Sequence, residues 1–348
     1  MTSPTLPTPP APAPAAAPAS APTPAAASAP APASRLRRTL RVLAVLGTLP
    51  YIGLKVAWVA GSTVGIPEGS VLLDHPAMMA VVNGISVLAD AAVVLLALLL
   101  TRPWGLRVRA WLLAFPVWAA IGLLAPIMVA YPAQVAVALL GGPGSASAGP
   151  PDEPFLDAWV FPVVYGGFIV QGLNLGILFV LYARDRWGHV WRGRLGELPA
   201  GASGPVLRAC AVAGSVLALA PAALHVLWAA GMARGLSPEL TGAYDADRAV
   251  VDAVRAVFLL LAAVATLALV LRRPAGLRVR TTMALAWVSS GATGCWGAYM
   301  SLVALLPLAD PGKEPTGLMT AAYAGEMITG FLLAGCLAVV LNRRGRTA

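Results

Sequence analysis

Apolar residues fall in eight long blocks separated by short polar stretches, at about 40–61, 78–101, 107–131, 157–182, 207–231, 249–271, 281–307 and 317–341. Each block approaches the roughly 20 residues that cross a hydrocarbon core about 30 Å thick at 1.5 Å per residue. The pattern predicts an all-α protein, a polytopic bundle of eight transmembrane helices, with the first helix retained as its own insertion signal. Residues 1–34 stand apart. Pro and Ala fill 24 of these 34 positions and no side chain is charged, so neither a stable helix nor a core can form there. This segment is expected to be a disordered tail, a linker or a tether for a partner. It lacks the basic start and apolar run of a secretory signal.

Composition agrees with the block pattern. Apolar residues make up 58% of the 348 positions and charged residues 11%, against roughly 25% charged in an ordinary soluble domain. A soluble chain could not cover its core with so few charges. The net charge of +9 would suit nucleic acid if it lay on one face. Instead the arginines sit in short clusters between blocks, as the positive-inside rule predicts for cytoplasmic connections. Before the first block stand Arg35, Arg37, Arg38 and Arg41. Later clusters are Arg102, Arg107 and Arg109, then Arg184, Arg186, Arg192, Arg194 and Arg208, then Arg272, Arg273, Arg278 and Arg280, then Arg343, Arg344 and Arg346. These occupy alternate connections. The intervening ones hold only Arg234, Arg248 and Lys313 among basic residues, and carry acidic residues such as Glu68, Asp152, Asp157, Glu239 and Asp310. Those acids are either solvated loop charge or an outward vestibule that attracts cations. The expectation is a plasma-membrane protein with both termini cytoplasmic and no nucleic-acid partner. Arg outnumbers Lys by 22 to 2, a bias that points to a GC-rich bacterial genome.

The blocks also repeat. Arg102-Pro-Trp-Gly-Leu-Arg-Val-Arg109 is answered by Arg273-Pro-Ala-Gly-Leu-Arg-Val-Arg280, and residues 90–109 match 261–280 at 14 of 20 positions without a gap. Lys55-Val-Ala-Trp58-Val-Ala-Gly61 is answered by His225-Val-Leu-Trp228-Ala-Ala-Gly231, and Tyr165-Gly-Gly-Phe168 by Tyr323-Ala-Gly-Glu326. The matches keep their order along the chain, which points to two tandem four-helix units, 35–200 and 201–348. Four crossings return a chain to its starting side. The two units should therefore be parallel, related by an axis along the membrane normal.

Candidate chemistry is sparse. Nucleotide-binding, metalloprotease and nucleophile-elbow motifs are absent from the sequence, and no cofactor is implied. His75, His189 and His225 are too scattered for a multi-histidine metal site, while Cys210, Cys295 and Cys336 suggest neither zinc spacing nor a disulfide framework. The informative residues are the ionisable ones inside the blocks, where a charge costs roughly 2.5–3.5 kcal/mol on insertion scales. Lys55, Asp90, His225 and Glu326 are candidates for a substrate- or proton-binding site. Their competing reading is local: Lys55 snorkelling to headgroups, the acids bonding to neighbouring helices. Asp252 and Arg255, spaced i, i+3, are expected to form a structural salt bridge with each other.

The Leu-Pro-Tyr51-x-x-Leu-Lys55-x-x-Trp58 and His225-x-x-Trp228-Ala-Ala-Gly231 stretches resemble segments of uncharacterised multi-pass membrane proteins of high-GC actinobacteria. The resemblance implies membrane location and carries no catalytic residue with it. The lipid bilayer is the partner every reading shares. Three activities stay open: binding or transport of a small solute, sensing or scaffolding through a cytoplasmic partner, and, third, an intramembrane enzyme acting on lipid.

Overall fold

A computed structural model describes residues 32–70, 72–73, 76–140, 156–199, 201, 203–242, 244–305 and 314–347. Residues 1–31 of the expected disordered tail lie outside the described residues, as do His75, Asp152, Glu153, Asp310 and Lys313. The chain folds into α1 (Pro32–Val59), α2 (Pro76–Thr101), α3 (Ala110–Leu139), α4 (Val160–Trp187), α5 (Pro205–Ala229), a single-turn α6 (Pro238–Gly242), α7 (Ala246–Leu271), α8 (Val279–Val303) and α9 (Gly317–Thr347). Extended pairing among the described residues is limited to an isolated antiparallel bridge between Arg194 and Arg278. The physical reason is that hydrocarbon offers no partner for a backbone N–H or C=O, so each segment must satisfy its own.

Local signals set several helix ends. Pro205 opens α5 at a position where its missing N–H costs nothing. Asp245 caps α7 by accepting from the Arg248 N–H at 2.9 Å. The αL residue Arg272 closes the same helix. Proline is a weaker stop than the block pattern implies. The third helix starts at Ala110, after a 3-10 turn over Pro103–Arg107, and runs on through Pro116, Pro126 and Pro132 to Leu139. Of the three, Pro126 is buried among the neighbouring helices and Pro132 is exposed.

Seven helices are long and apolar enough to cross a membrane: α1 to α5, α7 and α9. The eighth long helix, α8, has the length but not the composition. Its buried positions include Ser289, Ser290, Gly291, Thr293, Gly294 and Gly297. Packing accounts for the difference, because α8 lies against α3, α7 and α9 at once. A helix that faces protein on most sides needs small residues for close approach rather than bulky apolar ones for lipid.

The halves of the chain meet where α3 packs on α8 and α7. In the first half α1 lies on α2 and α4, and in the second α5 lies on α7 and α9. The Arg-rich connections gather at one end. There Arg37 pairs with Asp185, Arg186 donates to the Val108 carbonyl at 2.8 Å, Val279 N–H donates to Gly193 at 3.0 Å and Arg344 donates to Arg192 at 3.2 Å. The start of α1 and the end of α9 thus lie at the same end of the bundle.

At the other end one device appears twice. The Trp58 indole donates to the Val64 carbonyl at 2.7 Å, and the Trp228 indole donates to the Arg234 carbonyl at 3.1 Å. Each ring ties down the turn that follows its helix. Both turns pass through glycines at positive φ, Gly61 and Gly65 in the first, Gly231 and Gly235 in the second. That region is strained for residues with a Cβ.

The closest helix approach is between α8 and α9, where a Cβ on Gly330 would lie 2.2 Å from the Gly294 nitrogen. Glycine to alanine should therefore act with opposite signs along α9. At Gly335, where a Cβ meets nothing within 4 Å, it should stabilise by up to about 1 kcal/mol through helix propensity. At Gly330 it should destabilise by about 1–3 kcal/mol through overpacking. Thermal unfolding of the two variants in detergent micelles checks this. A Gly330→Ala protein as stable as Gly335→Ala would refute the close approach.

Candidate functional site

The cluster with the densest buried charge lies in the second half of the chain. His225 projects from α5 four residues before its end, Asp252 and Arg255 come from adjacent turns of α7, and Glu326 sits ten residues into α9. His225 is completely buried and Glu326 is 2% exposed. The imidazole is held between two carboxylates. Nδ1 lies 2.7 Å from Asp252 Oδ1, and Nε2 lies 2.6 Å from Glu326 Oε1, off the line of a well-aligned hydrogen bond. Glu326 Oε2 in turn contacts the Arg255 guanidinium. The chain of contacts runs Tyr244, Asp252, His225, Glu326, Arg255.

Aromatic rings frame it. The Tyr244 hydroxyl donates to Asp252 Oδ2 at 3.0 Å. Burial first, and then the neighbouring Asp252 carboxylate, push the Tyr244 hydroxyl pKa upward, which keeps it a protonated donor. Trp228 stands edge-to-face on His225 with centroids 5.1 Å apart. The Arg255 guanidinium lies 5.3 Å from the centroid of the Tyr323 ring, a cation–π distance.

The geometry fixes a proton count. A neutral imidazole has one N–H and one lone pair, and a carboxylate only accepts. Two unprotonated carboxylates on opposite ring nitrogens would leave one lone pair facing an oxygen at under 3 Å. The arrangement is satisfied when the ring carries both protons, or when one carboxyl holds a proton. With an imidazolium, the cluster of two carboxylates, one guanidinium and one ring sums to zero charge, which suits a buried site. With one proton fewer the sum is −1.

There is little room for anything larger. A cavity of about 10 Å3 lies beside Arg255 and Glu326, walled by Phe258, Thr293 and Trp296 among others. That is space for about one water molecule. Arg255 Nε and Thr293 Oγ1 at this place are buried without protein partners. Among the described residues no three His, Cys, Asp or Glu side chains are placed to hold a metal ion. Here the carboxylates bracket the ring from opposite sides and do not converge on a common point.

The structure divides the residues expected from sequence into two groups. His225 and Glu326 meet. Lys55 and Asp90 form a looser pair in the first half of the chain, and no ion pair or hydrogen bond joins them to the His225 cluster. The Lys55 ammonium lies 4.9 Å from the Tyr51 ring centroid and 5.2 Å from that of Trp58. Asp90 is buried, with Oδ2 unpartnered, and interacts with Lys55 only at longer range.

The expected Asp252–Arg255 salt bridge is corrected. Their i, i+3 spacing lets the two side chains pair, but the neighbouring helices offer better partners. Asp252 turns to His225 on α5, and Arg255 turns to Glu326 on α9. Tyr244 and Tyr323 were not singled out from sequence. Tyr323 had a signal, since it sits one turn before Glu326 and recurs at Tyr165. Tyr244 lies in a connecting segment and had none.

No family model, curated protein or solved structure matches the chain.

Because Arg255 and Glu326 share one buried contact, their substitutions should not add. Glu326→Gln alone strands the guanidinium and should cost about 3–5 kcal/mol of stability. Adding Arg255→Met should restore most of that loss, read as unfolding midpoints of the single and double variants in detergent. Simple additivity would show that the contact is not a functioning pair.

Proposed function

We propose that the protein is an eight-span plasma-membrane protein built of two parallel four-helix repeats, with a proton-binding site in the second repeat through which it binds or moves a small solute. The observation that carries the site is His225, buried between two carboxylates that together demand one shared proton. A group whose two states differ by one buried charge responds to protonation more strongly than an exposed one. Histidine is also the side chain whose ordinary pKa lies within the physiological range.

Three features support the architecture. Counting α8 as a span puts both termini on one side, in agreement with the Arg-rich end where α1 begins and α9 ends. Its low hydropathy is accounted for by burial among α3, α7 and α9. The Trp58 and Trp228 turns, with paired hydrogen bonds and paired positive-φ glycines, support descent from one unit. The arginine distribution supports a cytoplasmic assignment for that end.

A second reading, a membrane sensor engaging a cytoplasmic partner, is favoured by the 10 Å3 cavity, which takes no solute in this state. It shares the proton site and differs in output. The lipid-enzyme reading has less support, because His225 and Glu326 are sealed from lipid.

Two expectations follow from the proposal. A reporter fused after Ala348 should be active only as a cytoplasmic one, and an extracellular C-terminus would end the eight-span reading. In protein labelled with 15N-histidine, the His225 ring, assigned by loss of its signal in His225→Asn, should give up its second proton as the pH is raised. A ring fixed in one state over the whole pH range in which the protein stays folded would remove the proton site. If the ring titrates but no solute in a broad panel gives His225-dependent current on a solid-supported membrane, the sensor reading replaces transport.

A further inference from the structure

A second cavity lies at the other end of the bundle, where the two halves of the chain meet. It is a groove of about 780 Å3 between α3, α4, α8 and α9, open on one side. This is within the 300–1,000 Å3 typical of small-ligand sites. Its walls are largely apolar and aromatic. Phe179 of α4 and Trp287 of α8 stack across the groove with centroids 5.4 Å apart, and Trp111 of α3 stands 64% exposed at its edge. The lining ends in Arg280 at the start of α8 and Arg346 at the end of α9. Both guanidinium groups are exposed, and no carboxylate among the described residues lies within 4 Å of either.

We propose that this groove is a binding site for an anionic phospholipid, with the acyl chains against the aromatic walls and the phosphate between Arg280 and Arg346. Charge complementarity selects the occupant. A largely apolar trough between helices long enough to cross a membrane suits acyl chains, and two unneutralised guanidinium groups at its end call for a phosphate. Arg suits that role because its planar fork meets phosphate oxygens two at a time. Basic pockets between membrane helices at the cytoplasmic side bind acidic headgroups in this manner. One more donor lies deeper in the groove. The Trp287 indole nitrogen is buried without a protein acceptor, on a residue that lines the groove. A neutral phospholipid could fill the trough but would present a quaternary ammonium to the arginines.

The inference requires that the chain spans a membrane and does not depend on the His225 site. The full-length protein, purified in detergent and equilibrated with equal amounts of phosphatidylglycerol and phosphatidylcholine, should retain the anionic lipid preferentially in native mass spectrometry. Arg280→Gln and Arg346→Gln should each lower the excess by about fivefold, the effect of removing one interfacial basic residue. Arg208→Gln, at the same end but outside the groove lining, should leave it unchanged. Because both groove arginines are exposed, the variants should keep the wild-type unfolding midpoint. Equal retention of the two lipids overturns the proposal. So does an anionic excess that survives the double substitution, since it would then come from the general field of the arginine clusters.

Discussion

The contact that constrains the second half of the chain most strongly is His225 between Asp252 and Glu326. A charge taken into a low-dielectric interior loses its hydration, and only close, well-placed partners compensate for that loss. Here the partners come from three helices, one group from α5, two from α7 and one from α9. None of these helices can shift along its axis without separating a buried charge from its counter-charge. The cluster therefore sets the axial register of α5, α7 and α9. The Trp228 indole extends the constraint outward, by packing edge-to-face with His225 and holding the following turn with its N–H.

The first half of the chain is filled differently at the matching positions. When the similar sequence segments are aligned, Lys55 falls where His225 does, but Asp252, Arg255 and Glu326 fall against Val81, Gly84 and Phe168. Aromatic packing fills the place of the ion pairs. Phe168 meets Tyr51 at a centroid distance of 4.8 Å, and Tyr165 meets Tyr131 at 4.8 Å. The lysine rests on Tyr51 and Trp58 rather than between carboxylates. The indole clamp on the following turn occurs in both halves. Among the described residues, the network of buried ion pairs lies in the second half.

This contrast explains what could be read from the sequence. Helix positions were legible because the demand for internal hydrogen bonding in hydrocarbon writes itself as apolar length, residue by residue. Ionisable groups within the helices were legible as candidates because Lys55, Asp90, His225 and Glu326 interrupt that length. Their pairing was not. Spacing along one helix favoured Asp252 with Arg255, whereas the pairs that form cross between helices and depend on relative rotation, which no single-helix pattern encodes. The enclosure of α8 was not legible either. Its block, 281–307, reads from sequence as a crossing like the others, and the role of Ser289, Ser290, Thr293 and its three glycines shows only once the helix is seen packed against three others. The groove at the Arg-rich end was invisible because its wall draws on four helices.

The surroundings of the cluster are not equally firm on its two sides. Glu326 is anchored, because its helix lies so close to α8 that a Cβ on Gly297 would stand 2.7 Å from the Glu326 Cβ and 2.4 Å from the Met327 nitrogen. Backbone so tightly opposed has no slack in either direction. Asp252 lies in the second turn of α7, and its second oxygen is held by Tyr244, a residue of the segment leading into that helix. That segment lies beyond the apolar span, where water can replace a lost hydrogen bond. Removing the shared proton would set His225 in repulsion with one of its carboxylates. The fixed side is α9, so the strain falls on the Asp252 and Tyr244 side, next to the segment that leads into α7. A buried charge is thereby coupled to that connecting segment through two side chains, the least that a proton bound at His225 would need in order to be felt beyond the helices.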